Sequence, residues 1–216
     1  MPLDTKLQHQ LQQSLQVVDD ADIPVTRLLD DARRLWHRVQ RLITLDLTPP
    51  QLDLEALELA CHALQLPTRH RKSRSVGKLG QISLRERAEQ AAELVIGALA
   101  DHADEQLLDR VTRLLRELPL RQPSLNEARL LADAVNLDDF GVTGLTLQAM
   151  QLARQQTSVA SVAQGIEKRQ QYGYFEARLK DGFHFEPIRQ MARKRLETAL
   201  HVATLLLNEL KEDQAP

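Results

Sequence analysis

The sequence is short of cysteine and lacks any long apolar run, and both absences narrow what the protein can be. With Cys61 as its single cysteine, the chain cannot form an intramolecular disulfide. No apolar stretch approaches the roughly 20 residues that span a bilayer, and the first ten residues contain no apolar signal core. The sequence therefore predicts a cytoplasmic protein with no membrane association.

A strong charge of either sign is also missing. The 28 basic and 30 acidic residues leave a formal net charge of -2, so no global field draws the chain to nucleic acid or to an anionic membrane. Binding to RNA or DNA is the least supported class, because it rests only on local basic runs. Hydrophobic residues make up 43% of the chain, which is ordinary for a globular protein with a substantial core.

Helical periodicity is the pattern that the sequence has in abundance. Apolar residues recur at helical spacing along most of the chain. No segment alternates polar and apolar residues for long enough to form a convincing strand. We therefore predict an all-α bundle of seven to ten helices.

The first residues of the chain form a polar stretch with a narrow apolar stripe. Leu7, Leu11 and Leu15 recur at helical spacing within it. We predict a helical arm at 1–22, followed by a single domain at 23–216. A stripe this narrow suits docking on another helix, for example in a homodimer.

Local chemistry predicts where two of the helices begin. Ser83 and Ser124 are each followed three residues later by a glutamate, which is the pattern of a capping box. We therefore expect one helix to start at each serine, with Glu86 and Glu127 completing the boxes. The stretch 66–82 contains proline and glycine without apolar periodicity, and we predict a loop there.

The predicted loop is strongly basic, with no acid between residues 67 and 82. Such a run can clamp the phosphates of a small ligand or an acidic partner, and the alternative is a solvated loop without a ligand. The side chains predicted to bind are Arg71, Lys72, Arg74 and Lys78.

The acidic stretch SLNEARLLADAVNLDDFGVTGL, from Ser124 to Leu145, resembles the signature of the HD-domain superfamily of metal-dependent phosphohydrolases. The order of predicted helices from about 28 to 210 is similar as well. The resemblance implies an HD-like fold in which one or two divalent metals activate water against a phosphate ester. The residues that match the signature are Glu127, Ala128, Asp133, Ala134, Leu137, Asp138, Gly141 and Gly144.

Apolar residues stand at most positions where the resemblance implies metal ligands. Val135 occupies the place of the family's distant aspartate, and Leu35 occupies that of its early histidine. His62 is present, but Ala63 follows it where the family has an aspartate. Because a water-activating metal generally needs three protein ligands, we expect neither a metal cofactor nor hydrolysis.

Two other interpretations of these residues stay open. In the first, the chain is an active phosphohydrolase that binds a divalent metal through His62 and Asp133. Its rebuilt catalytic set would be His37, His62, Asp133 and Asp138. In the second, the aspartates of the acidic stretch simply cap turns and bond backbone amides.

A second unusual segment runs from 167 to 189 and holds five of the seven aromatic residues, interleaved with basic ones. Such a mixture either forms a partner surface or docks the last helix onto the core. The side chains predicted to make exposed contacts are Tyr174, Arg178 and Lys180.

From these features we expect a non-catalytic regulatory or scaffolding module with an HD-like fold. Its partner is expected to be a protein or a small phosphorylated ligand. The binding surfaces would be the basic loop, the aromatic-basic segment and the N-terminal arm. Nucleophilic catalysis has little support, because adjacent residues such as Cys61 and His62 point about 100° apart on a helix.

Overall fold

All regular structure in the described part of the protein is helical. A computed structural model describes residues 5–16, 27–45, 51–69, 83–154 and 158–213. In chain order its helices are α1 Thr5–Gln16, α2 Arg27–Thr44, α3 Leu54–Ala63, α4 Leu66–Arg69, α5 Leu84–Leu99, α6 Glu105–Glu117, α7 Asn126–Asn136, α8 Gly141–Arg154, α9 Ala160–Gln171, α10 Tyr174–Asp181 and α11 Glu186–Glu212, with a 3₁₀ helix at Leu137–Asp139.

The predicted all-α class is confirmed, since no strand occurs within these ranges. Ten of the described α-helices have eight residues or more, and only α4 is shorter. None of the helices described is both long and apolar enough to cross a membrane.

The chain divides into two compact units, Met1–Ala132 and Asp133–Pro216, which we call the N-terminal unit and the C-terminal unit. The division falls inside α7, so the acidic stretch contributes residues to both units. The predicted boundary between arm and domain, at residues 22 and 23, lies outside the described ranges. That division of the chain stays a prediction.

Helix α3 is the buried helix of the N-terminal unit. It packs against α2, α5 and α6, and every residue from Ala56 to Ala63 is buried. A helix that is buried over most of its surface needs mainly small or apolar residues, and six of the eight residues from Ala56 to Ala63 are of this kind. Cys61 and His62 therefore lie in the interior, where burial raises the pKa of the Cys61 thiol.

The apolar stripe of α1 is covered by its own unit. Leu7, Leu11 and Leu15 are at most 2% exposed, and α1 packs against α2, α4 and α5. The stripe therefore docks on other helices, as its narrow width predicts, but it does so within the chain. It is not available as the contact surface of a homodimer.

The predicted loop at 66–82 is helical at its beginning. Helix α4 occupies Leu66–Arg69 and packs against α1 and α5. Pro67 fits there because proline is tolerated in the first turn of a helix. The rest of the predicted loop lies outside the described ranges, and so do its candidate binding residues Arg71, Lys72, Arg74 and Lys78.

Ser83 caps α5 as predicted, whereas Ser124 does not cap α7. The hydroxyl of Ser83 accepts a hydrogen bond from the amide of Glu86 at 3.1 Å, as predicted. The prediction at Ser124 is wrong, because α7 begins two residues later. The amides of Ser124 and Leu125 instead donate to Oε2 of Glu117 on α6, at 2.6 and 2.9 Å. The Glu117 carboxylate thus accepts hydrogen bonds at the start of α7 in place of the Ser124 side chain.

The C-terminal unit is organised around α11, which packs against α8, α9 and α10. Three buried phenylalanines form its aromatic cluster. The ring centroid of Phe140 lies 5.8 Å from that of Phe175 and 5.4 Å from that of Phe183. These contacts agree with the interpretation that the aromatic residues dock the end of the chain onto the core.

Two glycines of the acidic stretch occupy positions where a residue with a side chain would be strained. Gly141 has a φ of 83°, in the left-handed region that favours glycine. Gly144 lies so close to the 3₁₀ helix that an added Cβ would be 2.7 Å from the carbonyl oxygen of Asp138. The spacing of these glycines is therefore explained by the tight entry into α8.

Candidate functional site

Asp133 caps the start of α11 from another helix. Its side chain is fully buried, and its Oδ1 and Oδ2 accept hydrogen bonds from the amides of His184 and Phe185 at 2.8 and 3.0 Å. The first amides of a helix have no partner within the helix itself, and Phe185 has no side-chain cap of its own. Asp133 therefore supplies the acceptors that the sequence around α11 lacks.

Burial raises the pKa of Asp133 to about 7. The amides of His184 and Phe185 act in the opposite direction, as does the positive charge of Arg189, because all three favour the carboxylate anion. Desolvation outweighs them, since the group is removed from water. The result is a carboxyl group that changes its charge near neutral pH inside the C-terminal unit.

Beyond Asp133, the acidic stretch forms a polar network with α10. The Nη2 atom of Arg178 donates to Oδ1 of Asn136 at 2.7 Å and to Oδ2 of Asp139 at 2.8 Å. The hydroxyl of Tyr174 donates to the same oxygen of Asp139 at 3.1 Å, and the side-chain amide of Asn136 donates to the carbonyl of Gly182. These contacts join α10 to the last residue of α7 and to the 3₁₀ helix that follows it.

Glu127 plays the corresponding role in the N-terminal unit. Its Oε1 accepts hydrogen bonds from the amide of Asp53 and from Arg110, both at 2.9 Å. Asp53 is the residue that caps α3. Burial alone would raise the pKa of Glu127, but the Asp53 amide and Arg110 hold that pKa below its ordinary value. Two buried acids of one helix thus each support the beginning of another helix.

The other residues of the alternative catalytic set, His37, His62 and Asp138, lie on three different helices. His62 is buried, with Nδ1 at 2.8 Å from the carbonyl oxygen of Glu58, and burial lowers its pKa. His37 is exposed, with Nδ1 at 3.3 Å from Oε1 of Gln40, while Asp138 is half-buried in the 3₁₀ helix. Within the described ranges, no three histidine, cysteine, aspartate or glutamate side chains are grouped so as to hold a metal ion.

The residues that replace the implied metal ligands differ in their exposure. Ala63 and Leu35 are buried in the core of the N-terminal unit. Val135, in the C-terminal unit, is only half-buried. All three side chains are apolar, so none offers an atom that could bind a metal.

An open cleft of about 600 Å³ lies in the C-terminal unit beside α9, α10 and α11. Leu179, Leu196 and Leu200 give it an apolar floor. Its charged lining residues are Lys180, Arg189 and Arg193 together with Glu176 and Glu197. The volume is within the range of small-ligand sites, and the apolar floor with charged groups around it is also suited to a partner helix.

Sequence reasoning found only one residue of this cleft. Of the three predicted contact residues, Tyr174 and Arg178 belong to the polar network, and Lys180 lines the cleft. Arg193, Leu196 and Leu200 were missed. The signal that could have identified them is their spacing of three and four along one helix, which places them on one face.

Comparison of the chain with protein-family models, with curated proteins and with solved structures finds no match. The resemblance to the HD-domain superfamily therefore stays a prediction. What the protein does must be argued from the contacts of its own residues.

Proposed function

We propose that this chain is a non-catalytic regulatory or scaffolding module that acts by binding. The observation that carries the proposal is the use of both carboxylate oxygens of Asp133 as caps of α11. Asp133 is fully buried, and both of its oxygens bind backbone amides at the start of α11. Because Asn136 and Asp139 are also engaged with Arg178, these three residues serve to hold the helices of the C-terminal unit together.

The cleft of the C-terminal unit is the proposed binding surface. Lys180 and Arg193 are exposed there and form no ion pair within the described ranges. Because they stand beside the apolar floor, they favour a partner that combines apolar and acidic groups, such as an amphipathic helix of a protein. A small phosphorylated ligand offers the same negative charge and is the second partner class of the proposal.

Metal analysis tests the non-catalytic part of this proposal. We expect purified protein to contain far less than one equivalent of any transition metal. Added Mn²⁺ or Zn²⁺ should produce no phosphatase activity on p-nitrophenyl phosphate. The matched control is Gln190→Ala, which changes an exposed residue of α11. A stoichiometric metal, or metal-dependent hydrolysis, that disappears in His62→Ala and Asp133→Asn but persists in this control would contradict the proposal and favour a phosphohydrolase.

Charge reversal tests the binding surface. Proteins that co-purify with the wild-type chain should be lost from the double variant Lys180→Glu, Arg193→Glu, because reversal repels an acidic partner. The matched control is Lys168→Glu on α9, which reverses an exposed lysine outside the cleft. Equal recovery with all three proteins would exclude the cleft as the surface.

A further inference from the structure

Arg189 belongs both to the cleft and to the turn that Asp133 caps. Its side chain lines the cleft and is 27% exposed. Its Nη2 atom donates to the carbonyl oxygen of Phe183 at 2.8 Å, and its Nη1 atom donates to the exposed Glu186. One side chain therefore connects the proposed binding surface with the residues at the start of α11.

A single peptide group joins Arg189 to Asp133. The carbonyl oxygen of the peptide between Phe183 and His184 accepts the hydrogen bond from Arg189. The amide of the same peptide donates to Oδ1 of Asp133 at 2.8 Å. Because successive hydrogen bonds polarise one another, a peptide that accepts from a cation is a stronger donor to the carboxylate. The guanidinium and the buried carboxylate thus interact through one peptide group.

Other charged groups of the surrounding elements have partners of their own. On α7, Arg129 donates to a backbone carbonyl. Arg178 on α10 and Asp139 in the 3₁₀ helix form an ion pair with each other. Helix α8 carries no charge before its last residue. Among the described residues, Arg189 is therefore the charged side chain that acts on Asp133.

The charge of Asp133 and the positive charge in the cleft depend on each other. When the Asp133 carboxyl group is ionised, it offsets part of the charge of Arg189, and when it is protonated, more of that charge acts on the cleft. We propose that binding of an acidic group in the cleft is coupled to the uptake of a proton by Asp133. The coupling rests on the proposed function, because it regulates the same surface.

The direction of the coupling follows from reciprocity. An anion beside Arg189 makes the Asp133 carboxylate less favourable, and protonation of Asp133 strengthens binding of the anion by the same factor. Burial raises the pKa of Asp133 to about 7, while the charge of Arg189 acts to lower it. The affinity for an acidic ligand should therefore be highest below this pH and should fall as the pH rises through it.

Titration with the fluorescent probe anilinonaphthalene sulfonate tests the coupling. This probe combines an apolar ring system with a sulfonate that stays ionised at every pH used. For a coupling factor of about ten, which is within the usual range, the affinity of wild type should fall about fivefold from about pH 6 to about pH 8. The affinity of Asp133→Asn should stay constant, because asparagine does not titrate. His184→Gln is the matched control, since it removes the titratable side chain of the same turn and keeps the amide that bonds Asp133.

Proton uptake provides an independent readout. Addition of the probe to wild-type protein in a weakly buffered solution near neutral pH should raise the pH, because Asp133 takes up a proton. Arg189→Gln should take up less, because it removes the charge that acts on Asp133 and leaves Lys180 and Arg193 in the cleft. Circular dichroism confirms that the variants remain helical.

The possible results separate the coupling from the proposed function. Binding in the cleft that is independent of pH in wild type, that keeps its pH dependence in Asp133→Asn, or that loses it in His184→Gln would overturn the coupling and leave the surface in place. Probe binding that is absent, or that is unchanged in Lys180→Glu, Arg193→Glu, would instead contradict the cleft as a surface for acidic ligands, and the coupling with it.

Discussion

Replacing Asp133 with asparagine should remove a pH dependence from the stability of the C-terminal unit. The pKa of Asp133 is about 7 in the folded protein and 3.8 for an ordinary aspartate. The folded state therefore binds the proton more tightly than the unfolded state. The stability contributed by this proton is fully present below about pH 4 and is lost as the pH rises through 7. Asparagine keeps the size of the side chain but cannot titrate.

The size of the effect follows from the two pKa values. At roughly 1.4 kcal/mol per pH unit, the interval from 3.8 to about 7 corresponds to about 4 kcal/mol. Between about pH 5 and pH 8, where the experiment is practical, the wild-type protein should lose about 2–3 kcal/mol relative to Asp133→Asn. Below about pH 7 the protonated carboxyl group of Asp133 resembles the asparagine amide, because each offers one carbonyl oxygen to the cap, so the two proteins should be similarly stable there.

Urea unfolding at a series of pH values measures this difference. The two tyrosines, Tyr172 and Tyr174, both lie in the C-terminal unit and report on its unfolding, while Trp36 reports on the N-terminal unit. The tyrosine signal should show that wild type loses about 2–3 kcal/mol of stability relative to Asp133→Asn between about pH 5 and pH 8. A difference in stability that does not change with pH, or a wild type that gains stability relative to the variant as the pH rises, would refute the reasoning and mean that the amides and Arg189 outweigh desolvation.

Three further substitutions have expected outcomes that urea unfolding can measure. Glu127→Gln should destabilise the N-terminal unit by about 1–3 kcal/mol, as followed by Trp36 fluorescence, because a buried charged acceptor is lost. Since the pKa of Glu127 is lowered, the loss of stability in Glu127→Gln should be present at neutral pH and vanish as the pH falls below the ordinary glutamate pKa of 4.5. A loss of stability that grows in acid would contradict the role of the Glu127 carboxylate as an acceptor. Gly144→Ala should cost about 1–3 kcal/mol, because its Cβ would meet backbone atoms of the 3₁₀ helix. Gly97→Ala, an exposed helix position with open space, should instead stabilise by about 0.5–1 kcal/mol, and equal effects at the two glycines would refute the steric argument.

Helix positions were predictable where the chain carries local signals. The apolar spacing and the prolines that follow predict a helix at 105–117, and α6 occupies Glu105–Glu117. Apolar residues at helical spacing near the end of the chain predict a long helix at about 187–211, and α11 occupies Glu186–Glu212. In both cases the determinants lie within the helix or next to it, so one sequence is sufficient.

The roles of the acidic residues were not predictable in the same way. Asp133 bonds amides 51 and 52 residues further along the chain, and Glu127 bonds an amide 74 residues earlier. Glu117 replaced the capping that Ser124 was predicted to provide. Each of these partners is selected by tertiary packing, and no spacing rule along the sequence relates the donor to the acceptor.

The cap that Asp133 provides for α11 also has a consequence for the order of folding. A helix cap made by neighbouring residues forms as soon as the first turn forms, whereas this one requires residues 133 and 184 to meet first. Closing a loop of that length costs conformational entropy, and the hydrogen bonds to Asp133 stabilise the protein only after the loop has closed. We therefore expect the first turn of α11 to be completed late, after α7 has formed. In a φ-value experiment at about pH 8, where the two proteins differ in stability, Asp133→Asn should change the unfolding rate and leave the folding rate almost unchanged.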